Sequence, residues 1–170
     1  MSLVFQYGSN TSVDRLNSKS RLDGAARIIG PAYTREKFDM DFTVWSKSNN
    51  CAAADIVPKG STHIWGILYE IPDNRIFRKY SKGNRTLDQI EGEGGNYTRI
   101  KIEGIQNDKL FSALTYVVQN RRSGLMTSLD YASNIITGLR SQEIPSEYIE
   151  YVRQRIIRNN ESLRNLLLNI

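Results

Sequence analysis

Thr62-His63-Ile64-Trp65-Gly66-Ile67-Leu68-Tyr69-Glu70-Ile71 is the stretch on which the fold turns. It is rich in Ile, Trp and Tyr, side chains that suit a pleated surface buried on at least one side, and it reads as the strongest strand of the chain. A break at Pro58-Lys59-Gly60 precedes it. Working towards the N-terminus, Cys51 to Val57 is a further apolar stretch. Phe38 to Trp45 alternates apolar and polar residues with period two, the mark of a half-buried strand. Ala26 to Tyr33 reads as a bent strand broken at Gly30-Pro31. Leu3 to Gln6 reads as the first strand, and Ser12 is placed to cap a short polar helix over Val13 to Asn17.

Towards the C-terminus, residues 72–92 read as helix with a polar interruption at Ser81 to Arg85. Gly92-Glu93-Gly94-Gly95 reads as a loop. Tyr97 to Glu103 alternates, Asn107-Asp108 makes a turn, and Leu110 to Gln119 returns as the partner strand. The pattern then changes. Ser128 to Arg140 has helical spacing, with Gly138 a cost inside it. Pro145 opens a last helix whose apolar stripe runs through Ile149, Val152, Ile156, Leu163, Leu166, Leu167 and Ile170. Strands first and helices last predict an α+β fold. At 170 residues the chain is long enough for one domain with a real core, and a single domain over 1–170 is expected.

Bulk composition narrows the function. Hydrophobic content of 39% and charged content of 24% are ordinary for a globular protein. The net charge of +5 makes the surface mildly basic. The basic residues are scattered and not interleaved with aromatics, so no nucleic-acid platform is expected. No apolar run approaches a membrane span or a signal peptide, which predicts a cytoplasmic protein with no membrane partner. One cysteine, Cys51, and one histidine, His63, are too few for a structural zinc site. Cys51, beside three alanines, reads as core packing, and His63 as an ordinary strand residue.

Two short segments remain that can carry chemistry. Tyr7-Gly8-Ser9-Asn10 follows the first strand, and such a turn bares several backbone N–H groups at once, a cradle for an anion. Ser9 and Asn10 add side-chain donors. Leu87-Asp88-Gln89-Ile90-Glu91-Gly92 puts a carboxylate, Glu91, beside a glycine at a helix end. Donors at one segment and an acid or base at the other are the minimum needed to move a proton on a small carboxylate-bearing substrate. Taken alone, Glu91 is a surface glutamate closing a helix, and Tyr-Gly-Ser-Asn is a turn with Asn10 as a cap.

Taken together with Trp65-Gly66-Ile67-Leu68-Tyr69-Glu70, with Tyr97, Tyr116 and Tyr131, and with Ile144-Pro145-Ser146-Glu147-Tyr148, these pieces resemble the gamma-glutamylcyclotransferase family in order and rough spacing, from about residue 3 to about residue 155. The resemblance implies a small barrel-like mixed sheet flanked by helices. It implies cyclisation of a gamma-glutamyl amide to 5-oxoproline, with Glu91 as the proton-transferring carboxylate and Tyr7 to Asn10 holding the glutamyl part. Tyr131 would reach the substrate, while Tyr97 and Tyr116 would line the pocket or support Glu91. No metal or organic cofactor is implied.

Thr11 stands where the family more usually has an apolar residue. Asp88, three residues before Glu91, would share its helical face and raise its pKa. Trp65 and Tyr69 read as core, and Glu93 as solvated. The basic segment from Arg75 to Arg85 would shape the leaving-group side. Alternatives stay open: another gamma-glutamyl substrate, a binding module of the same fold without turnover, and a homodimer through the C-terminal stripe.

Overall fold

A computed structural model describes residues 1–170, the side chain of residue 169 apart. The strands are β1 (Ser2–Gln6), β2 (Arg27–Ser46), β3 (Cys51–Pro58), β4 (Thr62–Ile71), β5 (Tyr97–Gln106) and β6 (Lys109–Val118). The helices are α1 (Val13–Leu16), α2 (Asp73–Ile76), α3 (Leu87–Glu91), α4 (Leu129–Ser141) and α5 (Ser146–Asn159), with short 3-10 turns between and after them.

The strands run in the order β3-β2-β4-β1-β6-β5, and β2 also pairs with β5. That last pairing, Tyr33 with Ile105 and Thr34 with Gly104, closes β2, β4, β1, β6 and β5 into a five-stranded barrel and leaves β3 outside on β2. All pairings are antiparallel except β1 with β6, which is parallel at Val4 and Leu114. The sheet is therefore mixed, and the fold is α+β with a helical C-terminal third, as expected.

β4 holds the centre. It is hydrogen-bonded to β1 and β2, and Ile64, Ile67, Leu68, Tyr69 and Ile71 are all buried. The period-two reading of Phe38 to Trp45 holds too, with Phe38, Met40, Phe42 and Val44 all buried. β2 is one strand of 20 residues rather than two. Its register shifts between Ile28 and Gly30 and between Tyr33 and Lys37, bulges that let one strand bend around the barrel.

Beyond Phe38, β2 leaves β4, and its edge is covered by α5. The Tyr151 hydroxyl accepts from the Met40 N–H at 2.9 Å, and Arg155 Nε donates to the Met40 carbonyl at 2.6 Å. A helix side chain on each group satisfies an edge that would otherwise template another strand.

Two further sequence expectations are corrected. Residues 72–92 are not an interrupted helix but α2, a 3-10 turn at Arg78–Tyr80, and α3. The last helix ends at Asn159, not at Ile170. Asn159 and Asn160 turn their amides to the segment before α4: Asn159 Nδ2 donates to Leu125 O, Asn159 Oδ1 accepts from Thr127 N, and Asn160 Nδ2 donates to Thr127 O. Asn160 is extended, and these bonds compete successfully with another helical turn.

Gly138 is more than a cost. A Cβ there would sit 2.5 Å from Ser12 N and 2.6 Å from the Thr11 carbonyl carbon, so its absence lets α4 lie directly on the loop after β1. No helix of the described residues is long and apolar enough to cross a membrane.

Candidate active site

The loop after β1 is built by its own residues. Ser9–Thr11 form a 3-10 turn in which Thr11 N donates to Gly8 O at 3.0 Å and Thr11 Oγ1 to the same carbonyl at 2.9 Å. Thr11 is fully buried, and these hydrogen bonds explain how a polar side chain fits there. From the barrel, the Tyr69 hydroxyl donates to Asn10 O at 3.0 Å. The N–H groups of Gly8, Ser9 and Asn10 find no protein acceptor among the described residues.

α3 has only five residues, too few to persist alone, and both ends are fixed. Thr86 and Gln89 form a capping box: Gln89 N donates to Thr86 Oγ1, and Thr86 N donates to Gln89 Oε1 at 2.9 Å. Gly92, at φ +68, ends the helix in the left-handed region, and Glu93 N closes back on Asp88 O at 2.8 Å. Asp88, 4% exposed, accepts from the Tyr116 hydroxyl at 2.8 Å, from Arg78 N at 3.3 Å, and from the Arg99 guanidinium. It ties α3 to β5 and β6.

Glu91 leaves the other end of α3 and meets the loop after β1. Its Oε1 accepts from Asn10 Nδ2 at 2.5 Å, and Asn10 Oδ1 accepts from Arg21 Nη2 at 2.6 Å. The segment carrying Arg21 is pinned by Asn17, whose side-chain amide makes two 2.9 Å bonds with the backbone of Ala26. Burial pushes the Glu91 carboxyl above its ordinary range, while Arg21, Arg15 and the Asn10 amide hold it down. The expected influence of Asp88 is corrected here. Asp88 is spent on Arg99 and Tyr116, and the upward push on Glu91 comes from desolvation.

The tyrosines form the wall opposite. Tyr7 donates to Tyr116 O at 2.6 Å and Tyr97 to Ala54 O at 2.7 Å, while the Tyr131 hydroxyl accepts from Ala54 N at 3.1 Å. Tyr97 and Tyr131 thus grip the two backbone groups of one residue of β3, Ala54, where the run Cys51-Ala52-Ala53-Ala54 leaves room for two rings. Burial raises the pKa of Tyr7, Tyr97 and Tyr131, so all three remain protonated phenols.

Tyr7, Gly8, Ser9, Asn10, Glu91, Tyr97, Tyr116 and Tyr131 all line one cavity of ≈260 Å3. The turn between β2 and β3, at Ser46 to Asn49, lines it too, as do Arg21 and Arg85. Of the basic segment before α3, Arg85 alone reaches this cavity, and Arg75 instead donates to Leu22 O in the segment after α1. Gln6, Arg21 and Ala54 belong to the same cavity and carry no local sequence signal: an isolated glutamine, an arginine in an irregular loop and an alanine.

Cys51 is buried, and His63 is an exposed strand residue whose Nδ1 lies 2.9 Å from Thr34 O. Among the described residues, no group of three His, Cys, Asp or Glu is arranged to hold a metal ion. A second groove runs beside β2 and α5, lined by Arg121, Arg122, Arg155 and Arg158. Arg121 is engaged there with the buried Asp55 and Arg155 with Met40.

The fold and the sequence have known counterparts. The chain superposes on a structure of a gamma-glutamyl cyclotransferase with a TM-score of 0.75 at 23% identity, covering 89% of this chain and 86% of that one. An uncharacterized human protein, loc79017, gives the same values. YkqA from Bacillus subtilis gives a TM-score of 0.69 at 18% identity, over 91% of this chain and 54% of its own. No curated protein matches the sequence. The AIG2-like family model matches residues 63–152, just over half of the chain, a span that contains Glu91 and begins after the Tyr7 to Asn10 loop. The chain belongs to the AIG2-like family and has the gamma-glutamyl cyclotransferase-like fold.

Proposed function

We propose that this protein cyclises gamma-glutamyl amides to 5-oxoproline and releases an amine or amino acid, with Glu91 as general acid and base. The observation that carries this reading is the meeting of Glu91 with the loop after β1. A carboxyl raised by burial stands 2.5 Å from Asn10, in one cavity with the unpaired N–H groups of Gly8, Ser9 and Asn10.

The chemistry needs no outside nucleophile. The α-amine of the glutamyl group attacks its own side-chain carbonyl, closing a five-membered lactam and expelling the amine from the other side of the amide. A free α-amine has a pKa near ~8, so at neutral pH it must first lose a proton. A carboxylate above its ordinary range is a stronger base than a solvated one, yet Arg21 and Arg15 keep its ionised form available. Glu91 takes that proton and returns it to the leaving nitrogen, and, a carboxylate again, removes the second proton from the ring nitrogen and releases it to solvent. Such assistance is typically worth about 10²–10⁴-fold.

The loop N–H groups receive the α-carboxylate, which fixes one end of the substrate and folds the chain for ring closure, a proximity gain in addition to the proton transfer. The three buried tyrosines supply rings that exclude water and hydroxyls that stay neutral.

The test is product formation. Wild-type protein is incubated with gamma-glutamyl-alanine, glutathione and gamma-glutamyl-lysine, and 5-oxoproline is followed by mass spectrometry. Appearance of 5-oxoproline from at least one of them supports the reading and names the leaving group. Ligand-induced thermal stabilisation without product from any of them would leave a binding module of the same fold.

A further inference from the structure

The cavity contains a donor that this reaction scheme has not used. Gln6 ends β1, lines the cavity and is 6% exposed. Its Oε1 accepts from Asn10 Nδ2 at 3.3 Å, and its Nε2 is buried with no acceptor among the described residues. Both amide orientations follow from Arg21, because a guanidinium only donates. Arg21 on Asn10 Oδ1 turns Asn10 Nδ2 towards Glu91 and Gln6, so Gln6 must offer Asn10 its oxygen. Its nitrogen is then the free arm. Buried donors in native proteins nearly always have partners, and one left over in a cavity wall calls for an acceptor brought by a ligand.

We propose that Gln6 is a catalytic residue whose Nε2 donates to the carbonyl oxygen of the gamma-glutamyl amide, where negative charge develops during ring closure. This rests on the cyclisation reading above. As the α-amine nitrogen bonds to the amide carbon, the carbonyl π pair moves onto oxygen. When the bond to the leaving nitrogen breaks, that pair returns, the proton held by Glu91 goes to the departing amine, and the ring nitrogen gives its extra proton to the freed carboxylate. Gln6 supplies a hydrogen bond and gives up no proton.

Its position suits this role. Asn10 Nδ2 touches both Gln6 Oε1 and Glu91 Oε1, so the Gln6 amide neighbours the carboxylate that must reach both nitrogens of the reaction. The carbonyl carbon joins those two nitrogens, and its oxygen therefore lies in the same neighbourhood. Three of the nearby phenols are poorer candidates. Tyr7 and Tyr97 already donate to backbone carbonyls, and Tyr116 donates to Asp88.

Two variants separate this role from a structural one. Gln6→Glu keeps the shape and the acceptor for Asn10 but replaces the donor with an acceptor. Gln6→Met keeps the length and loses both. Loss of a hydrogen bond to a developing oxyanion lowers kcat by about 10²–10³-fold, and both variants are expected to show this with KM within a few-fold of wild type. The acid limb of the Gln6→Met profile is expected to stay in place, because Asn10 and Arg21 still hold Glu91.

If Gln6 only holds Asn10, Gln6→Glu keeps nearly full kcat while Gln6→Met does not, and that result overturns the inference. So does a displaced acid limb in Gln6→Met with kcat fully recovered at another pH. Wild-type turnover is measured alongside. No 5-oxoproline from wild type removes the cyclisation reading and this inference together, whereas turnover that ignores both substitutions removes this inference alone.

Discussion

Asp88 and Glu91 stand at opposite ends of one five-residue helix, and their surroundings could hardly differ more. Asp88 is filled: a tyrosine hydroxyl, a backbone N–H and a guanidinium all point at it. Glu91 has a single hydrogen bond among the described residues and otherwise faces a cavity. A carboxylate whose acceptor sites are filled is a fixed point of the fold. One with sites unfilled, raised by burial and held beside free N–H groups, can take a ligand's proton. Chain spacing alone would treat the two as neighbours on one helical face, and the difference comes from segments far away: β5 and β6 around Asp88, and residues 6–21 around Glu91.

The largest effect should come from Glu91→Gln. In the proposed reaction it lowers turnover by about 10²–10⁴-fold, measured as 5-oxoproline formed, with no loss of thermal stability. Asp88→Ala should do the reverse. Removing one member of a buried pair costs about 3 kcal/mol, seen as a lower midpoint in chemical denaturation, because Arg99 and the Tyr116 hydroxyl lose their acceptor. If Asp88→Ala proved as stable as wild type, the contrast between the two ends of α3 would collapse.

The pH dependence of stability sharpens the contrast. The folded-state pKa of Glu91 lies above its unfolded value, so the protonated form is the one that folding favours. Its contribution is full in acid and is lost as pH rises through the folded value. Glu91→Gln should therefore be more stable than wild type at neutral and alkaline pH, and the two melting curves should converge as pH falls.

Smaller effects lie further from the carboxylates. Tyr131→Phe removes the acceptor of Ala54 N and should cost about 1 kcal/mol, read by denaturation. Glu93→Gln, two residues past Glu91 in the turn, should change stability by less than about 0.5 kcal/mol and leave turnover as it was. A dead Glu93→Gln with a live Glu91→Gln would move the proposed base.

Most strands were legible because period-two alternation survives wherever one face is buried: Phe38, Met40, Phe42 and Val44 on β2, and the apolar body of β4. Bends were harder. The polar run Arg35-Glu36-Lys37 sits at a bulge in β2 and reads as a break in the chain, although the strand continues through it. The end of α5 was hidden because the apolar stripe goes on past Asn160 while the backbone does not. Asn159 and Asn160 form bonds with a segment more than 30 residues away in sequence, which periodicity cannot register.

In the candidate site, the Tyr7 to Asn10 loop, Glu91 and the three tyrosines could be picked out through the family resemblance, and they share one cavity. Arg21 and Gln6 could not. Arg21 is carried by an irregular segment whose shape depends on the Asn17 side chain, and Gln6 is one polar residue at the end of an apolar strand. Each becomes visible only through the chain of hydrogen bonds that runs from Arg21 to Asn10 and on to Glu91 and Gln6.

Water enriched in oxygen-18 distinguishes the two possible nucleophiles: the wild-type reaction is run in it on a gamma-glutamyl amide and the products are weighed. Attack by the substrate's own amine predicts 5-oxoproline without label and no labelled glutamate. Glutamate carrying oxygen-18 would show that water is the nucleophile and that the protein is a hydrolase, not a cyclotransferase.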